Sequence, residues 1–226
     1  MPTLTYIERR GQIETYFDRT AMAAWARLTS DAPVGRIRAT VRAGRDGMRE
    51  TLLDWLPADL TGRRILDAGC GTGALAVAAA RRGAEVVAID LSPTLVELAR
   101  ERAAGERGVT FLAGDMLDGG LGEFDHIVAM DSLIHYREPD MARVVGMLAA
   151  RARGSILLTF APRTPLLALM HTVGRLFPRS DRAPAIEPIP ARRMPRLLDI
   201  DGWTAGRSHR VANGFYISQA FELVRR

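Results

Sequence analysis

The stretch Ile65-Leu66-Asp67-Ala68-Gly69-Cys70-Gly71-Thr72-Gly73-Ala74 decides how this chain folds. Its apolar start is typical of a buried strand, and three alternate glycines lead from Asp67 into an alanine-rich segment with helical character. Because glycine has no Cβ and tolerates positive φ, the spacing predicts a sharp strand-to-helix turn whose backbone a ligand can approach closely.

The spacing of the three glycines restricts the class of ligand that this turn can bind. Gly69-x-Gly71-x-Gly73 is tighter than the G-x-G-x-x-G pattern of dinucleotide sites, and the charge of Asp67 would repel a pyrophosphate. A carboxylate at this position suits a cationic group such as an ammonium. Further along, the strand-like segment Glu85-Val86-Val87-Ala88-Ile89 ends in Asp90, whose carboxylate can accept both hydroxyls of a ribose.

A third acidic residue follows a third predicted strand. Asp115 comes shortly after Val109-Thr110-Phe111-Leu112, where it can accept from an adenine amino group while Met116 packs on the ring. Leu91 and Met130, at the ends of the second and fourth predicted strands, complete the predicted contacts. An ammonium, a ribose and an adenine without phosphate describe S-adenosylmethionine.

The same residues also allow a simpler interpretation. The glycines then mark an ordinary turn, and Asp90 caps the helix that starts at Ser92 and Pro93. We favour the ligand site because acidic residues follow three successive predicted strands in matching order.

Strands and helices alternate from Arg63 onward, which predicts an α/β fold with a mostly parallel sheet. A hairpin signal at Asn213-Gly214 predicts two closing strands, the last of them inserted antiparallel. The predicted strands are 64–67, 85–89, 109–112, 124–130, 154–160, 203–211 and 215–224, and the predicted helices between them are 73–82, 93–104 and 138–150.

Two appendages flank this alternation. Apolar residues at helical spacing predict an arm over residues 8 to about 57, with its second helix at 34–55. The proline-rich stretch 161–195 contains an apolar segment, 166–177, that either packs on the core or forms a cap facing substrate or membrane. We expect one domain, divided into a helical arm (1–58), a cofactor-binding core (59–160), a substrate-side insertion (161–195) and a closing helix with a hairpin (196–226).

Composition excludes several classes of protein. The 226 residues, 47% of them hydrophobic, suffice for one core. All 31 basic residues are arginine, so Schiff-base and P-loop chemistry that needs lysine is excluded, and the single Cys70 excludes an internal disulfide. No apolar run reaches the ~18 residues of a membrane span and no signal peptide is recognisable, so we expect a cytoplasmic protein. The net charge of +5 favours an anionic partner.

The loop Met130-Asp131-Ser132-Leu133-Ile134-His135-Tyr136 follows the fourth predicted strand and is the first candidate for contact with a second substrate. His135 is suited to act as a base or to hydrogen-bond a carboxylate, although it can also serve only local backbone groups. The loop lacks the Pro-Pro-aromatic motif of DNA amino-methyltransferases. The fifth strand ends in Phe160-Ala161-Pro162-Arg163, without acidic ligands, so we expect no protein-bound metal.

Several segments outside the glycine turn resemble the magnesium protoporphyrin IX methyltransferase family. The resemblance spans nearly the whole chain, from the arm to the closing hairpin. It implies a class I methyltransferase fold and transfer of a methyl group from S-adenosylmethionine to a porphyrin propionate in bacteriochlorophyll and chlorophyll biosynthesis. The segments are Glu14-Thr15-Tyr16-Phe17, Ile37-Arg38, Arg42-Ala43-Gly44-Arg45, the loop 131–136, Thr159-Phe160-Ala161-Pro162-Arg163-Thr164 and Phe177-Pro178-Arg179-Ser180.

The resemblance also suggests roles and partners. We predict that Tyr16 and His135 are the catalytic residues that orient the propionate, that Phe17 joins Tyr16 in a lid, and that Arg163 pairs with a propionate. Magnesium then belongs to the substrate. The implied partners are the large porphyrin-binding subunit of magnesium chelatase and, by peripheral contact, the photosynthetic or inner membrane; no nucleic acid is expected.

Three other functions share the predicted cosubstrate residues. A methyltransferase for another small molecule, such as a quinone precursor, differs only outside the glycine turn. A non-catalytic module that binds S-adenosylmethionine or carries porphyrin is disfavoured by the histidine in the loop 130–136. A nucleic-acid methyltransferase is supported by charge alone.

Overall fold

A computed structural model describes residues 3–21, 28–29, 33, 35–163 and 185–226. Parts of two predicted appendages lie outside these residues. They are the arm positions Met22 and Trp25, the predicted apolar helix 166–177, Thr164 and the family-like segment 177–180.

Seven strands form one sheet in the order β3-β2-β1-β4-β5-β7-β6. Strands β1 to β5 pair in parallel, whereas β7 runs antiparallel to both of its neighbours. This topology confirms the predicted α/β fold with an antiparallel last strand. The strands are β1 (Arg64–Ala68), β2 (Glu85–Asp90), β3 (Val109–Ala113), β4 (Phe124–Ala129), β5 (Ala152–Phe160), β6 (Trp203–Asn213) and β7 (Tyr216–Arg225).

Helices flank the sheet and form the arm. A π-helical turn, Tyr16–Ala21, continues the first helix, and short 3₁₀ turns lie at Gly119–Leu121, Leu133–His135 and Ala191–Arg193. The α-helices are α1 (Leu4–Thr15), α2 (Arg36–Trp55), α3 (Ala74–Ala80), α4 (Pro93–Arg102), α5 (Glu138–Ala149) and α6 (Met194–Leu197).

The core consists of two apolar layers, one on each face of the sheet. Successive side chains of a strand point to opposite faces, so Ile65 and Leu66 are both fully buried yet belong to different layers. Leu66 packs in the layer that contains the apolar face of α5, and Ile65 in the layer formed with α2, α3 and α4. Because both faces of the central strands are covered, polar groups of this region collect at the carboxyl ends of the strands.

Most observed boundaries lie within two residues of the prediction, and two of the differences have local causes. Helix α1 begins at Leu4 rather than near residue 8, because the Thr3 side chain caps it by accepting from the Tyr6 N–H at 3.1 Å. In the closing hairpin Asn213 pairs with Tyr216, so the turn residues are Gly214 and Phe215, and Gly214 provides the positive φ of 57°.

Helix α2 packs against the start of β7 at a glycine. A Cβ on the buried Gly44 would lie 2.5 Å from the Cδ1 atom of Tyr216, closer than any real side-chain contact. A glycine inside a helix costs about 1 kcal/mol relative to alanine, and here that cost permits the close approach of the two elements. The contact places α2 along the carboxyl edge of the sheet.

We therefore expect Gly44→Ala to destabilise the protein by about 1–3 kcal/mol, although alanine is the better helix former. Gly47→Ala is the matched control on the same helix, since its nearest neighbour, a methyl of Val211, would lie at 4.0 Å. In urea unfolding, Gly47→Ala should leave the free energy of unfolding unchanged or raise it. Equal stability of the two variants would show that the contact with Tyr216 is not tight.

Candidate active site

The glycine turn is fastened to the neighbouring strand by its backbone. Gly69, Gly71 and Gly73 all have positive φ, at 87°, 53° and 80°. The N–H groups of Gly69 and Cys70 both donate to the carbonyl oxygen of Ile89, at 2.8 and 3.0 Å. A Cβ on Gly69 would lie 2.3 Å from that of Ser132, so the turn also approaches the loop after β4 as closely as glycine allows.

Asp90, at the end of β2, organises the backbone around it. Its carboxylate accepts from the Gly71 N–H at 2.8 Å and from the Ser92 N–H at 3.0 Å. Burial raises the pKa of Asp90, and these backbone donors act in the opposite direction. The side chain of Ser92, rather than Asp90, caps α4 by accepting from the Leu95 N–H.

Asp67 lies beneath the same turn and is 1% exposed. No donor among the described residues reaches its buried Oδ2 atom. Burial, with the nearby charge of Asp90 as a second cause, raises the pKa of Asp67 to about 7. A buried carboxylate oxygen without a donor is costly, so this position favours a bound cation.

Asp115, after β3, holds the arm. It accepts from the Tyr6 hydroxyl at 2.7 Å and from the Arg10 guanidinium at 2.9 Å. Burial raises the pKa of Tyr6 far above its usual range, so its hydroxyl remains a donor at neutral pH. Asp115 is not among the described residues that line the cavity, and its contact with an adenine stays a prediction.

Further polar contacts fix the arm over the carboxyl edge of the sheet. Thr3 and Thr5 donate to Asp140 in the first turn of α5, and Arg9 pairs with Glu187 at 3.1 Å. In the π-helical turn, Asp18 accepts from Ser92 and Thr94 at the start of α4. These contacts are partly buried, and hydrogen bonds of this kind contribute about 0.5–1.5 kcal/mol each, so the arm is held by several weak contacts.

The arm brings two aromatic side chains to His135. Tyr16 and Phe17 meet edge to face at 5.2 Å, and the Phe17 ring lies 6.3 Å from the His135 ring. His135 itself is 6% exposed, with Nδ1 3.4 Å from the Ala185 carbonyl oxygen. The next residue, Tyr136, stacks on Tyr6 at 5.0 Å, which further ties this turn to α1.

One cavity of about 1020 Å³ extends from the glycine turn and Asp67 to Tyr16 and His135. This volume is at the upper end of the ~300–1,000 Å³ of small-molecule sites and leaves room for two ligands. Arg163 is exposed and is not among the described lining residues; its N–H donates to the Ile189 carbonyl at 3.0 Å. The predicted residues that line the cavity are Tyr16, Asp67, Gly69, Gly71, Gly73, Asp90, Leu91, Met116, Met130 and His135.

Asp131 is a lining residue whose role the sequence did not reveal. It has a φ of 53° and accepts from the Arg45 guanidinium at 2.6 Å and from the Tyr216 hydroxyl at 3.1 Å. Its N–H donates to Thr159 Oγ1 at 2.7 Å. Both Asp131 and Arg45 belong to the family-like segments, but their pairing joins parts of the chain that are far apart in sequence.

No three His, Cys, Asp or Glu side chains of the described residues are grouped as metal ligands. None of the helices in the described part of the chain combines the length and apolar character that a membrane span requires.

Comparison with known proteins gives consistent matches. A general methyltransferase-domain family matches residues 65–153, and the magnesium-protoporphyrin IX methyltransferase C-terminus family matches residues 129–225. The magnesium-protoporphyrin O-methyltransferase of Rhodobacter capsulatus is 50% identical over 96% of this chain and 97% of its own. The crystal structure of the Synechocystis magnesium protoporphyrin IX methyltransferase with bound S-adenosylhomocysteine superposes with a TM-score of 0.85, at 29% identity, over 95% and 98% of the two chains. A ubiquinone biosynthesis O-methyltransferase of Xanthomonas oryzae, 35% identical, matches 56% of this chain and 58% of its own.

The sheet order, the glycine turn and the methyltransferase-domain match define a class I S-adenosylmethionine-dependent methyltransferase. Half of all aligned residues agree with the Rhodobacter relative over nearly the full length of both chains. The chain therefore belongs to the magnesium-protoporphyrin O-methyltransferase family.

The raised pKa of Asp67 generates a pH-dependent prediction. Because the folded state keeps this proton up to about pH 7 and the unfolded state loses it near pH 4, stability falls as the pH rises between those values. Asparagine cannot ionise, so the Asp67→Asn variant avoids the cost of a buried charge. Its free energy of unfolding minus that of the wild type should increase by on the order of 2 kcal/mol from pH 5 to pH 8. Urea unfolding at both pH values measures this, and a difference that does not vary with pH would contradict it.

Proposed function

We propose that this chain transfers the methyl group of S-adenosylmethionine to one propionate of magnesium protoporphyrin IX, giving the monomethyl ester. The observation that carries the proposal is that one cavity joins the glycine turn to Tyr16 and His135. A quinone-type acceptor is the second candidate, supported by the partial match to the ubiquinone enzyme. The match to the porphyrin enzymes favours the first, because it includes the arm.

The residues around the turn fit S-adenosylmethionine. The unpartnered Oδ2 of Asp67 is suited to the ammonium of its amino-acid end, and Asp90 to its ribose hydroxyls. Gly69 and Gly71 line the cavity without side chains, so a ligand can approach their backbone. Leu91, Met116 and Met130 supply apolar cavity wall for the adenine and the sulfonium.

The cosubstrate supplies an electrophilic methyl group: a propionate oxygen forms the new bond to carbon while the carbon–sulfur bond breaks, and its electron pair stays on sulfur in S-adenosylhomocysteine. The propionate is already ionised at neutral pH, so the protein does not have to remove a proton. The protein's task is to exclude water and align the carboxylate.

We assign that alignment to His135 and Tyr16. His135 is carried by the 3₁₀ turn after β4 and Tyr16 by the arm, and both line the cavity. Hydrogen bonds from both to the propionate would hold one oxygen toward the methyl group. The predicted pairing of Arg163 with a propionate has less support, because its exposed side chain is not among the described lining residues.

The proposal includes the source of the porphyrin and the location of the enzyme. Magnesium enters with the porphyrin, which the large subunit of magnesium chelatase would hand over. A cytoplasmic enzyme with peripheral contact to the photosynthetic or inner membrane would receive such a poorly soluble substrate. The excess of arginine suits an anionic lipid surface.

The acceptor is tested by incubating the protein with methyl-labelled S-adenosylmethionine and, separately, magnesium protoporphyrin, metal-free protoporphyrin or a catechol quinone precursor. We expect label in the porphyrin monomethyl ester, identified by chromatography. Label only in the quinone precursor would contradict the porphyrin assignment.

Tyr16→Phe and His135→Ala should each lower kcat by about tenfold to a thousandfold while the Kd for S-adenosylhomocysteine stays within about threefold of the wild type. The reason is that both residues face the acceptor. His209→Ala, on the exposed strand β6, is the matched control for loss of a histidine. If both variants turned over at close to the wild-type rate, Tyr16 and His135 would not be the residues that orient the propionate.

A further inference from the structure

Two buried polar atoms beside the glycine turn have no hydrogen-bond partner among the described residues. They are the Oδ2 atom of Asp67 and the Oγ atom of Ser132, and both residues line the cavity. Buried side-chain polar atoms normally have a partner, so an orphaned atom in a cavity wall indicates a hydrogen bond that a ligand completes. The proposed function gives Asp67 the cosubstrate's ammonium as its partner, whereas it gives the Ser132 hydroxyl none.

Contacts on both sides hold Ser132 against the turn. A Cβ on Gly69 would lie 2.3 Å from the Cβ atom of Ser132 and 3.0 Å from its Oγ atom. The preceding residue, Asp131, donates its N–H to Thr159 Oγ1 at 2.7 Å, and the Thr159 hydroxyl donates back to Asp131 Oδ1 at 3.1 Å. The backbone of Ser132 is therefore fixed beside the turn. The residue is half-buried, and rotation about its Cα–Cβ bond between staggered positions can turn Oγ from Gly69 to the cavity.

The backbone of the turn has few donors left for an anionic group. Four of its N–H groups already donate within the protein, to carbonyl oxygens or to the Asp90 carboxylate; they belong to Gly69, Cys70, Gly71 and Gly73. In phosphate-binding loops, by contrast, the backbone N–H groups point at the ligand. A negatively charged ligand group at this turn therefore needs side-chain donors, and the Ser132 hydroxyl is a donor in that position.

The amino-acid end of the cosubstrate carries an ammonium and a carboxylate on the same carbon atom. When Asp67 holds the ammonium, the carboxylate lies next to it at the turn. We propose that the Ser132 hydroxyl donates a hydrogen bond to the carboxylate of S-adenosylmethionine, so that Asp67 and Ser132 together recognise a zwitterionic amino-acid end. This inference rests on the proposed function, which assigns the ammonium to Asp67, and it makes Ser132 a further cosubstrate-binding residue.

The test uses Ser132→Ala in the full-length protein, because this change removes the hydroxyl and little else. Calorimetry measures the Kd for two ligands, S-adenosylhomocysteine and decarboxylated S-adenosylhomocysteine, which keeps the amine, the thioether and the adenosine. The matched control for loss of a serine hydroxyl is Ser208→Ala. Ser208 lies on the exposed strand β6, where its hydroxyl donates to the Ala220 carbonyl at 3.1 Å, and it is not among the described lining residues.

We expect Ser132→Ala to raise the Kd for S-adenosylhomocysteine by about tenfold or more, because a hydrogen bond to a charged group is lost. The Kd for the decarboxylated ligand should stay within about threefold of the wild type, since that ligand has no carboxylate to bind. Ser208→Ala should leave both values at the wild-type level.

The protein without ligand gives a second measurement. Alanine removes a buried polar atom that has no partner, so Ser132→Ala should unfold at the same urea concentration as the wild type or at a higher one. A lower midpoint would show that the hydroxyl has a partner within the protein and would overturn the inference.

Equal weakening of both ligands by Ser132→Ala would also overturn it, and so would an unchanged Kd for S-adenosylhomocysteine. If that unchanged Kd came with a raised KM for magnesium protoporphyrin, the hydroxyl would contact the acceptor instead. Absence of porphyrin methylation by the wild type would refute the proposed acceptor and leave the two Kd values as they are, so the two failures are distinguishable.

Discussion

The hydrogen bonds between the glycine turn and the end of β2 are the constraint on which the site depends. Gly69 and Cys70 donate to the Ile89 carbonyl and Gly71 donates to Asp90, so two parallel strands end in one shared backbone structure. A side chain at Gly69 would collide with Ser132 and push the turn away from the loop that carries His135. Hydrogen bonds therefore fix the glycine turn to β2, and the absence of a side chain at Gly69 lets the turn pack against the loop that carries His135.

Three acidic residues follow successive strands, yet the protein uses each differently. Asp90 is occupied by backbone N–H groups, Asp115 is occupied by Tyr6 and Arg10 of the arm, and the buried Oδ2 of Asp67 has no donor among the described residues. The unfavourable free energy of burying a negative charge therefore falls mainly on Asp67, the position proposed for the ligand's ammonium. Asp131 is a fourth acidic residue. It belongs to the loop of His135 and accepts hydrogen bonds from Arg45 of α2 and Tyr216 of β7.

The fold was predictable because the strands are buried on both faces and end in glycine and acidic residues, a local pattern that needs no knowledge of distant contacts. The start of α1 was missed because its cap, Thr3, is a single residue outside the apolar periodicity. The partners of Asp115 and Asp131 were not predictable for a different reason: Tyr6 and Arg45 lie far away in the sequence, and only the folded arm and α2 bring them close. Gly44, one of two glycines inside α2, was a signal of that packing, although Gly47 of the same helix has no such close neighbour.

The buried Asp67 carboxyl, whose pKa is raised to about 7, is about half protonated at pH 7, and a cationic ligand end bound beside it would ionise it fully. Calorimetric titration of S-adenosylhomocysteine at pH 7, in two buffers with different ionisation enthalpies, tests it most directly. Binding should release about half a proton per wild-type molecule, because the ligand's ammonium stabilises the ionised carboxylate, and Asp67→Asn should show no such release. A binding enthalpy that is the same in both buffers for the wild type, or no binding at all, would contradict it.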